Sequence, residues 1–238
     1  MAVWMLLLAG VIVLAGAVVQ GSVGFGMNLV AAPLLAIADP ILVPVPLLLV
    51  SSAFALLPVL RERSHTDWHG VGWGMLGRVP GTALGVAALA LLPARWVAIL
   101  IGVVVLISVG LSLLAWRPRP TRPALLTAGM ASGTFGTAAA IGGPPIALVY
   151  QHTAGPTVRS TLGAYFAGGS VLSILALSLG GQVHADQLLA ALALFPFAVT
   201  GFLISGPLRK VLDAGRTRPA LLVVAALSAL ALLLKAIL

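Results

Sequence analysis

The sequence predicts an all-α integral membrane protein, on three observations. Of its 238 residues, 61% are hydrophobic and only 8% are charged, with a mean hydropathy of +1.16. A soluble surface needs far more charge than that. The apolar residues form long runs, unlike the short alternating segments of a membrane β-barrel. The formal charge of +8 comes from Arg and Lys lying mostly between the runs, the pattern of cytoplasmic loops facing anionic lipid. The basic balance therefore points to a lipid bilayer and not to nucleic acid. Cysteine is absent, which excludes disulfides, thiolate catalysis and Cys metal sites.

The first run, Ala2 to Ala38, carries no charge. As one helix it would be roughly 55 Å long at about 1.5 Å per residue, against a hydrocarbon core of about 30 Å. It must break, and Gly21-Ser22-Val23-Gly24-Phe25-Gly26 marks where. Ala2–Val19 is predicted as a membrane helix and not a cleaved leader, lacking a basic start and a small-residue cleavage site. Met27–Ala38 is predicted as a shorter second arm, stopped by the turn signal Asp39-Pro40. Further spans are expected over Ile41–Leu60, Val71–Leu92 and Trp96–Trp116. They are separated by the polar loop Arg61–Gly70 and the turn Pro93-Ala94-Arg95. Trp68, Trp73, Trp96 and Trp116 fall near span ends, where interfacial tryptophans belong.

The second half follows the same plan. Ala124–Ser132 leads into an expected break over Gly133–Gly143, and Pro144-Pro145 opens a short helix to about His152. Spans follow at Val158–Leu179, Gln187–Ser205 and Pro219–Leu238. At an offset of 112, Gly21, Gly24 and Pro33 meet Gly133, Gly136 and Pro145. Residues His65 and Asp67 recur as His184 and Asp186, and Pro80 and Gly85 as Pro196 and Gly201. The chain thus reads as two repeats, 1–120 and 121–238, in one membrane domain. Equivalent loops differ in charge: Arg61 and Arg63 have no basic counterpart near 178–186, whereas Arg209, Lys210, Arg216 and Arg218 answer a turn holding only Arg95. Under the positive-inside rule the repeats are inverted. If each glycine break is the tip of a helical hairpin, ten basic residues share one face, and Arg95 and Lys235 hold the other. If each long run crossed once, the loops would split six against six. Hairpins, with both termini outside, are the expected topology.

A broken helix at membrane depth is tolerated only where it lines a cavity or is buried in protein, which makes it a pointer to a transport site. Each break leads into a short helix whose N-terminus offers unpaired N–H groups and about half a positive charge, a place for an anion. Glycine lets backbone approach a ligand, and proline suits a first helical turn. The candidate substrate residues are therefore Gly21, Ser22, Gly24, Phe25, Gly26 and Asn28 from the first break. Gly133, Thr134, Gly136, Thr137, Gly142, Gly143 and Pro144 come from the second. The plain alternative is that the glycines only let helices pack closely. Arg78 joins the candidates because it lies inside a span, where a charge costs about 2.5–3.5 kcal/mol on insertion scales. A substrate or gate cation and a snorkelling side chain are both consistent with it. Gln20, Tyr150, Gln151 and Tyr165 could line a path, though each alone is more often a satisfied packing residue. Asp67 and Asp186 are expected to cap helices.

The order Gly-x-x-Gly-x-Gly then short helix with proline, repeated once, resembles the sulfite exporter TauE/SafE family of permeases. So do His65-x-Asp67-Trp68 opening a span and Pro80-Gly81-x-x-x-Gly85 within it. The resemblance implies a two-repeat protein of the bacterial inner membrane that moves sulfur-containing anions such as sulfite, sulfonates or thiosulfate. The expected function is a secondary transporter of a small sulfur-containing or organic anion, alternating access around a midplane site. A channel or a non-transporting assembly partner is the alternative. An integral-membrane enzyme is disfavoured, because all four histidines lie in or beside loops. The expected partners are the anion and the lipid bilayer, with a homo-oligomer allowed; no cofactor or metal is expected. ATP coupling is disfavoured, since no Gly-x-x-x-x-Gly-Lys-Ser/Thr motif occurs.

Overall fold

The computed structural model describes residues 3–23, 26–113, 118–212 and 217–238. The described residues form ten α-helices and two short 3-10 turns. In the first half these are α1 (Val3–Val23), α2 (Met27–Ala38), a 3-10 turn at Pro40–Leu42, α3 (Val45–Glu62), a second at Arg63–His65, α4 (Trp68–Leu91) and α5 (Ala94–Leu113). In the second half they are α6 (Arg122–Ala139), α7 (Gly143–Tyr150), α8 (Gly155–Leu179), α9 (Ala185–Leu212) and α10 (Thr217–Ile237). Among the described residues, five stretches are long and apolar enough to cross a membrane, from Pro40–Leu57 to Ala185–Ser205. Their outer faces carry bare apolar side chains such as Leu91, Leu179, Leu192 and Leu203. An apolar surface this extensive needs lipid and not water against it.

The turn chemistry follows the sequence. Asp39 accepts the Ile41 N–H at 3.1 Å and starts the turn after α2. Asp67 accepts the Gly70 N–H at 2.9 Å and caps α4. At the α9 start Gln187 Oε1 accepts the His184 N–H at 2.9 Å; Asp186 does not cap the helix as expected but lies in its first turn and accepts the neighbouring Gln187 N–H at 2.9 Å.

One expectation about the breaks needs correction. Helix α1 runs on through Gly21 to Val23, and α6 runs on through Gly133 and Gly136 to Ala139. The second break is confined to Ala140-Ile141-Gly142. Helix α7 therefore starts 116 residues after α2 (143 − 27) and not 112, about one helical turn off the glycine alignment. A stripe of small residues repeats every three or four positions, so glycine matching alone cannot choose between registers one turn apart. At the true break Ala140 has φ 60, and the N–H groups of Ala140 and Ile141 both return to the Phe135 carbonyl. This is a left-handed helix stop that glycine usually provides.

Close helix contact rests on glycine. A Cβ on Gly77 would lie 2.1 Å from the Leu126 carbonyl oxygen, one on Gly81 2.1 Å from that of Met130, and one on Gly85 3.0 Å from that of Thr134. Taken in order, these pairs make α4 and α6 parallel, with backbone against backbone. Likewise α1 lies along α9, where Gly10 abuts Phe197 and a Cβ on Gly201 would lie 2.3 Å from the Leu14 carbonyl oxygen. Helix α3 packs on α8, and α5 on α10.

Side-chain contacts show which ends lie together. The Glu62–Arg159 ion pair, the Tyr150–Asp67 hydrogen bond at 2.8 Å and Arg122 over the Trp73 ring gather the end of α3 with the starts of α4, α6 and α8 and the end of α7. At the opposite end, Arg95 donates to the Ile237 carbonyl at 2.9 Å and Lys235 to the Ile37 carbonyl at 2.8 Å.

Candidate functional site

Arg78 is 2% exposed, so it is a buried cation and not a snorkelling one. The α4–α6 contact delivers it to the interior, and α8 closes over it. Its Nη1 donates to Ser132 Oγ and its Nη2 to Ser173 Oγ, both at 3.3 Å. The guanidinium lies 5.2 Å from the centre of the Tyr165 ring. Two glycines make the slot: a Cβ on Gly169 would sit 2.4 Å from Nε, and one on Gly136 2.9 Å from Nη2. Nε has no hydrogen-bond partner.

All of these partners are neutral. Among the described residues the one ion pair joins Arg159 to Glu62, leaving Arg78 without a carboxylate. A guanidinium keeps its charge in protein, and a buried charge without a counter-ion is strongly unfavourable. The hydroxyls and the aromatic face lessen that cost without neutralising the charge.

The second break lies beside Arg78. Ser132 Oγ donates to the Gly142 carbonyl, so the residue that holds Arg78 also holds the break. Asn28, in the first turn of α2, donates through Nδ2 to the Ala140 carbonyl at 2.8 Å and to Ser51 Oγ at 3.1 Å. The first break closes with Gly26 at φ 111, a left-handed conformation suited to glycine. Helix α7 then opens with Gly143-Pro144-Pro145, prolines in the turn where their missing N–H costs nothing.

A cavity of about 210 Å³ lies between these parts. Arg78, Asn28, Ser51, the second break and Ser170 give it polar groups, and Leu29, Leu48, Phe54, Leu57, Phe166 and Phe202 apolar ones. Glu62 and Arg159 also line it, and their pair stands at the basic end of the bundle.

Seven of the candidate residues meet there: Gly26, Asn28, Arg78, Gly136, Gly142, Gly143 and Pro144. Gly133 packs instead on α4, where a Cβ would lie 2.6 Å from the Arg78 carbonyl oxygen. Thr134 Oγ1 donates back to the Met130 carbonyl at 3.0 Å. Thr137 Oγ1 shares a 2.8 Å hydrogen bond with Ser173 Oγ and so stands one step behind Arg78. Gly21 and Ser22 belong to the last turn of α1, and Ser22's side chain, Gly24 and Phe25 lie outside the described residues. Gln20 lines the cavity, whereas Tyr150 is engaged by Asp67. Sequence reasoning missed Ser132, Gly169 and Ser173, which form the Arg78 slot. Their signal is spacing: Ser132 with Gly136, and Gly169 with Ser173, put small and hydroxyl residues four apart on one helix face. No group of three or more metal-ligating side chains occurs among the described residues.

A membrane-embedded helical bundle with interrupted helices around a charged interior cavity has the architecture of a transport protein. The family model for the sulfite exporter TauE/SafE matches residues 8–232, and the chain belongs to that family. It is thus a multi-pass member of a family of sulfur-anion permeases. No curated protein and no solved structure matches the chain.

Proposed function

We propose that this chain is a secondary transporter that moves a small sulfur-containing or organic anion across the bacterial inner membrane. The anion binds in the cavity between the two helix breaks, and Arg78 is its counter-ion. The observation that carries this reading is a nine-tenths buried guanidinium, on the cavity wall, with only neutral partners. Gly142 and Gly143 would complete the site with backbone donors beside the positive end of α7, while Asn28 holds the break through the Ala140 carbonyl.

Two inverted repeats give the site its alternating access. The packing supports this: α1 lies along α9 as α6 lies along α4, and α3 and α5 pack on their counterparts α8 and α10. The charge at the ends agrees. Arg95 and Lys235 share one end, while Arg63, Arg122 and Arg159 lie at the other. By the positive-inside rule the latter end is cytoplasmic, and the cavity that Glu62 and Arg159 line approaches that face.

The test is counterflow in proteoliposomes loaded with sulfite or a short sulfonate. Wild-type protein should show saturable exchange. Arg78→Gln should lose it by at least tenfold, the scale of a charged hydrogen bond worth about 1.5–3 kcal/mol. Non-saturable flux would indicate a channel, and full exchange in Arg78→Gln would remove the basis of the reading.

A further inference from the structure

The cavity lining combines a buried cation with aromatic and aliphatic carbon, and the carbon has no use for an inorganic oxyanion. Arg78 belongs to the side built by α4, α8 and the α6–α7 break. Facing the same space from α3 and α9 are Phe54 and Phe202, whose rings stack at 5.0 Å between centroids. Phe195 extends the stack behind Phe54 at 6.1 Å. Leu48 and Leu57 flank it on α3. The lining is therefore amphipathic: one cation without a carboxylate, polar groups such as Ser51 and Ser170, and a large share of aromatic and aliphatic carbon, with Phe166 on α8 adding to Phe54 and Phe202.

Size points the same way. An apolar cavity of about 150 Å³ takes a benzene ring, and this one measures about 210 Å³. An oxyanion head of four or five heavy atoms against Arg78 would fill only part of it. Leaving the Phe54–Phe202 face to water forfeits its contribution to binding. Charge sets a further limit. Arg159 is neutralised by Glu62, so Arg78 is the one lining cation without a carboxylate among the described residues, and it balances a single negative charge.

We infer that the substrate is an organic monoanion, its oxyanion head on Arg78 and an apolar chain or ring against Phe54 and Phe202. This rests on the anion-site reading above and narrows it: the cavity selects against bare sulfite and sulfate.

The experiment is a chain-length series on the purified wild-type protein in detergent, measured by titration calorimetry. It uses sulfite, then methane-, propane- and pentanesulfonate, with 1-pentanol as the uncharged control. Affinity should rise about fourfold for each methylene that reaches the apolar side, and pentanol should not bind measurably. Arg78→Gln should weaken every sulfonate by tenfold or more. Phe54→Ser with Phe202→Ser should flatten the chain-length slope, costing pentanesulfonate more than methanesulfonate. The wild-type series stands alone should that double variant fail to fold. Sulfite binding as tightly as pentanesulfonate, with both still lost in Arg78→Gln, would overturn this inference and leave the anion site standing. Pentanol binding as well as the sulfonates, or Arg78→Gln binding them undiminished, would overturn both.

Discussion

Asn28 and Ala140 join the two halves of the chain at the cavity: the Asn28 amide donates to the Ala140 carbonyl at 2.8 Å. Ala140 ends α6 in the left-handed conformation, so its carbonyl is free of the helix ladder and needs an outside donor. That carbonyl accepts only, which fixes the amide orientation with Nδ2 toward it. Asn28→Ala strands the carbonyl and should cost about 1–3 kcal/mol. Asn28→Asp should cost more, since a carboxylate would face the carbonyl oxygen and oppose the anion. Thermal unfolding of the three proteins checks the order wild type, Ala, Asp.

Removing Arg78 should have opposite effects on stability and binding. Its partners can satisfy themselves without it: Ser132 donates to the Gly142 carbonyl and Ser173 pairs with Thr137. Arg78→Met would replace an uncompensated charge by a chain of similar length. Without ligand it should melt at least as high as wild type, with a gain of about 1 kcal/mol or more, and it should bind no anion. A clearly lower melting point would mean that Arg78 is a structural residue.

Gly169→Ala tests the slot. Its Cβ would meet the guanidinium at 2.4 Å, and overpacking of this kind costs about 1–3 kcal/mol. In an Arg78→Ala background the clash disappears, so the double-mutant cycle should show a coupling of similar size. Additive effects would place the strain elsewhere.

The α4–α6 seam separates two glycines on the same helix. Gly81→Leu drives a side chain into the Met130 backbone, whereas a Cβ on Gly72 meets nothing within 4 Å. Gly81→Leu should abolish recovery of monodisperse protein. Gly72→Ala should be recovered normally and gain up to about 1 kcal/mol from helix propensity. Size-exclusion profiles distinguish them.

At the mouth of the cavity, Glu62→Gln frees the Arg159 charge. The pair is partly exposed, so stability should change by less than about 1 kcal/mol. Anion association should quicken, and added salt should erase the gain. Stopped-flow binding at two ionic strengths measures it.

Composition and apolar run length determined the membrane-spanning helical class, because a chain with 8% charged residues cannot cover itself for water. Local chemistry determined the stops: Asp39-Pro40 and Asp67 act on their immediate neighbours, as read. The sequence also showed that helices must break near Gly24–Gly26 and before Pro144, since length and proline are local facts. The register of the second break was not legible. Gly133 and Gly136 match the first break as well as any residues do, yet they serve helix contact and the Arg78 slot, and Ala140 makes the turn. Only the tertiary structure decided that Arg78 faces inward, because a charge inside a span is equally consistent with snorkelling until its neighbours are known. Ser132 lies 54 residues from Arg78 and Ser173 lies 95. No periodicity within one helix can report a contact that depends on how three helices pack.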